Sequence, residues 1–465
     1  MRPHPLRLLV SAVLVAALAT CSSGAGPDRP NILLITLDTT RADHLGCYGY
    51  DRRTSPELDA LAAESIVYTN AYSVSSWTMP AHASLFTGKF PSAHGAQYDP
   101  QGVLALNQGI QGNFGHYRAQ PIADGEVTLA TLLAASGWST GGIAGGPWMK
   151  KVFRLDRGFQ FYDDENISEV NGRSAQDITR VAKEFVDRNA KRPFFLFLNY
   201  YDPHGPYQPA SMEYVGRVLK PGENPAKMDQ TGQLRVAYDA EISYMDEHVG
   251  DLFEHLRQKG LYENTWIIVT SDHGELLGEK FLGGGPAMGH GHSLSQAEIH
   301  IPLIVKEASA DPRRGRNDTP VQQTDVLPTI LKHLELPLPP DVQGKPFDVE
   351  KRLPIFAEVY PLPSVNPAGR DWRQLGDWRI LFDGTYKFGW NSLSQHFLVN
   401  LADDPGEEHN LFEADPERSQ ALEERVKKLV RTFPKPGAAS EGDVDAATTK
   451  MLEGLGYLGT DEDDG

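Results

Sequence analysis

Cysteine is scarce, with two residues in a chain of 465. That excludes a disulfide scaffold and a cysteine-rich zinc module. Basic residues are in deficit: 44 Lys and Arg stand against 62 Asp and Glu, a formal net charge of −18. A surface so acidic argues against nucleic acid as a partner, because phosphate backbones demand a basic face. No internal repeat is visible. The one apolar run near the N-terminus, Leu8 to Ala19, covers about a dozen residues, which is short for a bilayer span. What remains is ordinary globular chemistry, 40% hydrophobic and 23% charged. The chain is long enough to bury a substantial core.

The N-terminus reads as a targeting segment. Arg2 and Arg7 precede the Leu8–Ala19 run, and Leu18-Ala19-Thr20-Cys21 follows it. This resembles a bacterial lipoprotein signal, with Cys21 as the lipidated residue; the other reading of residues 1–21 is a plain secretory signal. Both predict an exported protein of the periplasm or cell envelope, the first with membrane attachment through an N-terminal lipid. Cys47 reads as a small buried hydrophobe.

Continuous apolar runs at Asn31–Leu37, Phe194–Leu198 and Trp266–Thr270, with a shorter one at Pro302–Val305, predict strands buried on both faces. Helix-like stretches lie at 55–64, 174–189 and 235–259. Alternating strands and helices predict an α/β fold with a large, mainly parallel sheet flanked by helices. Residues 96–126, rich in Gly and Gln, read as a long loop near the site. Beyond about residue 350, short alternating runs at 378–382, 386–388 and 396–399 predict a small C-terminal antiparallel-sheet subdomain. A charged helix at about 416–432 and an acidic tail at 461–465 follow.

Polar clusters stand where the strands end, the usual place for ligands in open α/β sheets. Asp38-Thr39-Thr40-Arg41 follows the first strand. Trp77-Thr78-Met79-Pro80-Ala81-His82 opens a helix that Gly88 stops. Asp202-Pro203-His204-Gly205-Pro206-Tyr207 follows the second strand. Ser271-Asp272-His273-Gly274-Glu275 follows the third and leads to His290 and His292. Carboxylates, imidazoles and a hydroxyl at strand ends are the inventory of a divalent-metal hydrolase.

These motifs, in this order, resemble the sulfatase family of the alkaline phosphatase superfamily. Asp325-Val-Leu-Pro-Thr329 and Leu401-Ala-Asp-Asp-Pro-Gly-Glu-Glu-His-Asn-Leu411 extend the resemblance across residues 29–460. It implies an alkaline phosphatase-like fold, with a catalytic domain at 29–350 and a subdomain at 351–460. It also implies one divalent metal ion (Mn, Zn or Ca) held by Asp38, Asp272 and His273, with Thr78 as nucleophile and fourth ligand. His204 and His290 match catalytic and substrate-binding positions; His82 stands where sulfatases carry Arg and is expected to bind substrate.

Three positions depart from the family pattern. Thr78 replaces the Cys or Ser that becomes formylglycine. Ala144-Gly-Gly-Pro-Trp148 replaces a Lys-x-His element, and Thr39 replaces a second Asp. A formylglycine hydrate expels sulfate with its second hydroxyl, which threonine lacks. The resemblance therefore implies hydrolysis of sulfate or phosphate esters, with phosphodiester and phosphonate esters favoured and a small-molecule, glycan or lipid ester as substrate. The alternatives are a true sulfatase and an envelope phosphoryl head-group transferase.

Overall fold

The computed structural model describes residues 29–104, 118–167, 172–282, 284–291, 293–349, 354–360 and 376–436. The signal segment with Cys21, the acidic tail and His292 lie outside the described residues.

Eight strands form the central sheet. In chain order they are β1 (Asn31–Leu37), β2 (Ile66–Tyr68), β3 (Ser139–Ile143), β4 (Phe161–Asp163), β5 (Phe194–Tyr200), β6 (Thr265–Thr270), β7 (Leu303–Lys306) and β8 (Gly315–Asn317). Across the sheet the order is β8-β2-β7-β6-β1-β5-β3-β4. All neighbours are parallel except at β7, which runs against both β6 and β2. The apolar run at 302–305 thus marks an antiparallel insertion within a mainly parallel sheet.

Alternate residues of the central strands serve two cores. Ile32, Leu34, Phe195, Phe197 and Ile268 point to one face; Leu33, Ile35, Leu196, Leu198 and Ile267 point to the other. A strand buried on both sides must be apolar at every position, and this is why its sequence reads as a run. Helices Thr78–Thr87 and Val326–His333 cover the first face. Pro56–Ala63, Ala175–Asn189 and Gln230–Gln258 cover the second. Ser174 caps Ala175–Asn189 through the amide of Asp177.

The C-terminal sheet is an antiparallel meander of Phe356–Val359, Trp378–Asp383, Tyr386–Asn391 and Phe397–Asn400, backed by the helix Pro416–Val430. Within the segment 96–126, residues 97–104 and 118–120 are strand and not loop. Gln97–Leu104 pairs with Arg118–Gln120 as a hairpin. Backbone pairing there needs no apolar alternation. Gly102 passes so close that a Cβ would lie 2.2 Å from the carbonyl oxygen of Ala119.

Two consequences can be measured. Phe197 packs edge-on to Phe86 (4.8 Å) and against His82 (5.7 Å), so β5 braces the helix that begins at Thr78. Phe197→Ala is expected to cost about 3–5 kcal/mol in urea unfolding. Glu241 is buried on the helix Gln230–Gln258, accepts the amide of Gln208 (2.8 Å) and so ties down the segment carrying His204. Burial, and then Asp202, push its carboxyl up to about 8. An acid raised in the folded state costs nothing below its unfolded value and costs stability as pH rises towards the folded value. Glu241→Gln keeps the acceptor oxygen and removes that cost. Its melting temperature relative to the parent is therefore expected to gain more at about pH 9 than at about pH 5.

Candidate active site

The carboxyl ends of β1 and β6 bring together Asp38, Asp272 and His273. One ligand atom from each lies within 4.8 Å of the others, and all three are fully buried. The backbone sets this geometry. Thr39 adopts a left-handed conformation (φ 54°), and its amide donates to Asp272 Oδ1 (3.1 Å), as does the amide of His273 (2.8 Å). Tyr238 clamps the same turn, donating to the Thr39 carbonyl (2.8 Å) and accepting from the Arg41 amide (3.0 Å). Gln323 holds the other turn by donating to the carbonyls of Ser271 (2.9 Å) and Asp272 (2.6 Å).

The remaining atoms converge without partners. Asp38 Oδ1 and Asp272 Oδ2 are buried and accept no hydrogen bond. His273 donates Nδ1–H to the Gly274 carbonyl (2.9 Å), leaving Nε2 without a proton, 3.3 Å from Asp272 Oδ2 and within reach of the Thr78 hydroxyl. Burial, and then the neighbouring Asp272, hold the Asp38 carboxyl well above the usual carboxylate range, while burial pushes His273 down. Among the described residues no Lys or Arg pairs with Asp38 or Asp272. Two orphaned carboxylate oxygens and a bare imidazole nitrogen fit a divalent cation. The buried Thr39 hydroxyl, also without a partner, borders this group.

Thr78 is the first residue of the helix Thr78–Thr87 and is 1% exposed. Its hydroxyl lies 3.4 Å from His273 Nε2. The N-cap position belongs to Trp77, so the Thr78 hydroxyl is not the helix cap; Gly88 stops the helix in a left-handed cap (φ 68°). The helix start carries amides with no carbonyl one turn back, which suits an anion.

His204 and His290 come together from separate loops, their ring centroids 5.0 Å apart, and His290 lies 4.4 Å from His273. His204 Nδ1–H donates to the Gly205 carbonyl (2.6 Å), which leaves Nε2 bare; burial pushes this ring down to about 4. Its face stacks on Tyr201 (4.4 Å). His290 Nδ1 lies 3.2 Å from both oxygens of Glu275, so a carboxylate orients that ring. Neighbouring rings thus sit in opposite settings, a neutral acceptor beside one with a counter-charge.

His82, expected to bind substrate, is fully buried on the sheet-facing side of its own helix, with both ring nitrogens engaged: Nδ1–H donates to the Thr78 carbonyl (2.8 Å), and Nε2 accepts from the Thr36 hydroxyl (2.8 Å). It has no nitrogen left for an ester. Arg41 is likewise turned away, paired with Asp43 and Glu279 (2.7 Å each). Trp148, the last residue of the segment in place of Lys-x-His, is core, packed edge-on to Trp77 (5.1 Å). Sequence reasoning assigned no role to Asn199, Glu275 or Gln323. The one polar residue in Phe-Phe-Leu-Phe-Leu-Asn-Tyr was the available signal for Asn199.

Comparison with known proteins identifies the family. The profile of the sulfatase family matches residues 30–336. The chain is 25% identical over 379 residues to an ulvan-active sulfatase of Formosa agariphila, covering 74% of this chain and 69% of that protein. It is 26% identical over 501 residues to the multifunctional alkaline phosphatase superfamily protein PehA of Trinickia caryophylli, covering 86% and 95%. The phosphonate monoester hydrolase of Silicibacter pomeroyi shares the fold, with a TM-score of 0.63 at 20% identity over 86% of this chain and 94% of that one. With its profile matched over more than half its length, the chain belongs to the sulfatase family of the alkaline phosphatase superfamily, hydrolases of sulfuric and phosphoric esters.

Proposed function

We propose that this chain is an exported, metal-dependent hydrolase that cleaves phosphodiesters or phosphonate monoesters through Thr78. The observation that carries the reading is the Thr78 hydroxyl at the helix start, beside the unpartnered oxygens of Asp38 and Asp272 and the bare nitrogen of His273. A divalent ion held by Asp38, Asp272 and His273 would supply a Lewis acid, lowering the pKa of the Thr78 hydroxyl and drawing charge from an ester oxygen. The donor set suits Mn²⁺ or Zn²⁺ over Ca²⁺, for which imidazole is a poor ligand.

Thr78 Oγ, its proton already released to solvent, attacks phosphorus as the alkoxide; its bond to phosphorus forms as the bond to the leaving oxygen breaks. The helix amides face the charge that develops on the other oxygens. His290, oriented by Glu275, delivers a proton to the departing oxygen. His204, with Nε2 bare, accepts a proton from the water that attacks the threonine ester. That attack breaks the Thr78 Oγ–P bond and releases Thr78 as the alkoxide, and the proton taken by His204 passes to His290, whose ring centroid lies 5.0 Å away, which resets both imidazoles.

Two arguments select the ester. Threonine offers no second hydroxyl to expel the acid, so its adduct must undergo another displacement at the central atom, which phosphorus tolerates. Charge selects within phosphorus esters. The segment Ala144–Trp148, without a basic residue, stands in the region where the family resemblance places Lys-x-His, and the rings facing the site are imidazoles. A doubly charged phosphate monoester would enter beside two carboxylates with little to balance it. A phosphodiester or phosphonate monoester brings one negative charge. A sulfuric ester, favoured by the likeness to the ulvan-active sulfatase, also brings one and is the second reading.

Initial rates on an aryl phosphodiester, an aryl phosphonate, an aryl sulfate and an aryl phosphate test the proposal. The phosphodiester or phosphonate is expected to give the highest kcat/KM. A chelator should abolish it, and Mn²⁺ or Zn²⁺ should restore it. Thr78→Ala is expected to lower kcat by at least about 10³-fold with unchanged circular dichroism. Preference for the sulfate would replace the phosphoester reading; full activity of Thr78→Ala would end the nucleophile assignment. Export is read from residues 1–21. If Cys21 is lipidated, labelled palmitate should enter the parent and not Cys21→Ala; absence of label from both would leave a plain secretory signal.

A further inference from the structure

Asn199 is the penultimate residue of β5, fully buried in an otherwise apolar strand. Its Oδ1 accepts from the amides of Gly145 and Gly146, each at 3.2 Å. Two donors on one atom fix which end of the carboxamide is oxygen. The NH₂ end must therefore face the site, where it donates to Asp38 Oδ2 (3.2 Å) and to the Thr36 hydroxyl (3.3 Å). Thr36 continues to His82 Nε2, and His82 to the Thr78 carbonyl. A buried line of hydrogen bonds thus runs from the Gly145-Gly146 turn to Asp38 on one branch and to the backbone of Thr78 on the other.

From this arrangement we infer that Asn199 is a positioning residue. It pins Oδ2 of Asp38 so that Oδ1 is presented, with Asp272 Oδ2 and His273 Nε2, to the metal. The inference rests on the metal reading above. A neutral donor is needed at this place. Asp38 already faces Asp272, and a carboxylate at 199 would turn a third negative oxygen towards the pair. The glycines are needed for space. A Cβ on Gly145 would lie 2.4 Å from the Asn199 carbonyl oxygen, and one on Gly146 2.4 Å from the Tyr201 ring. The turn that stands in place of Lys-x-His thus has its backbone committed to Asn199 and its faces to Asn199 and Tyr201. It acts on the metal site through a hydrogen bond, with no side chain of its own in the site.

A purely structural tether between β5 and the turn would stabilise the fold without affecting the metal, and the test separates the two. Metal-stripped full-length parent, Asn199→Ala and Asn199→Ser are titrated with MnCl₂ by calorimetry well below their melting temperatures, with Asp38→Ala as the control that removes a ligand. Serine is the second variant because it leaves a smaller cavity while its hydroxyl falls short of Asp38. Both substitutions are expected to weaken Mn²⁺ binding by about 10–100-fold, the usual effect of losing an outer partner of a metal ligand. A lowered melting temperature with Mn²⁺ affinity within about twofold of the parent would make Asn199 a structural tether and overturn the inference. If the parent binds neither Mn²⁺ nor Zn²⁺, the metal reading itself fails and takes this one with it. If the parent binds and the Asn199 variants bind equally, only the positioning role fails.

Discussion

The structure is organised around two carboxylates, Asp38 and Asp272, buried within reach of each other with no Lys or Arg partner among the described residues. Burying one unpaired carboxylate is expensive, and burying two side by side is more so. Burial and mutual repulsion together hold Asp38 far above its ordinary range. A fold keeps such an arrangement only if something supplies the missing positive charge. A cation bound by both carboxylates and His273 would do so, and its affinity would then add to the stability of the fold. The surrounding protein is consistent with that requirement. The amides of Thr39 and His273 orient an oxygen, and Tyr238 and Gln323 fix the turns beside the two carboxylates.

The sheet explains how residues far apart in sequence reach one place. β1 and β6 are parallel neighbours, so their carboxyl ends coincide and Asp38 meets Asp272 and His273. β5 lies on the other side of β1 and delivers Asn199 to the same level, with His204 just beyond. The helix from Thr78 packs on one face of these strands through Phe86 and Phe197. Rigid strand ends supply the ligands, and a short helix supplies the hydroxyl. Catalytic groups carried on such elements are held with little conformational freedom to lose.

Much of this was legible in the sequence, for physical reasons that differ by element. β1, β5 and β6 announce themselves because burial on both faces leaves no polar positions. The helix at Ala175 is marked by its Ser174 cap and apolar stripe. The Asp38, Asp272 and His273 group is legible because its residues follow directly on those strands. The direction of β7 was not legible, since an apolar run carries no sign of polarity. The hairpin at 97–104 and 118–120 was not legible either; its pairing depends on close backbone approach at Gly102 and shows no alternation. His82 was read by its place in a motif, and motif position does not reveal which way a side chain points. Its neighbour Thr36, a hydroxyl inside an apolar run, is the residue that claims it.

The departures at Thr78, Gly145-Gly146 and His82 form one pattern. Formylglycine chemistry draws on a geminal hydroxyl and on basic side chains close to the leaving sulfate. Here the hydroxyl is single, the basic element is a glycine turn, and the position that carries arginine in sulfatases is a histidine with both nitrogens bonded internally. Each change alone would weaken sulfate chemistry. Together they describe a site with less positive charge from side chains and, on the proposed reading, a nucleophile whose adduct must be displaced again. On that reading the site would depend more heavily on a metal, because little else could balance the charge that develops. That dependence makes the orientation of Asp38 consequential. When one cation carries most of the electrostatic burden, a small rotation of its carboxylate ligand changes the nucleophile and the oxyanion contacts together. The hydrogen bonds that reach Asp38 through Asn199 and the Thr78 backbone through His82 start from the same buried turn, so ligand and nucleophile are fixed by one set of contacts.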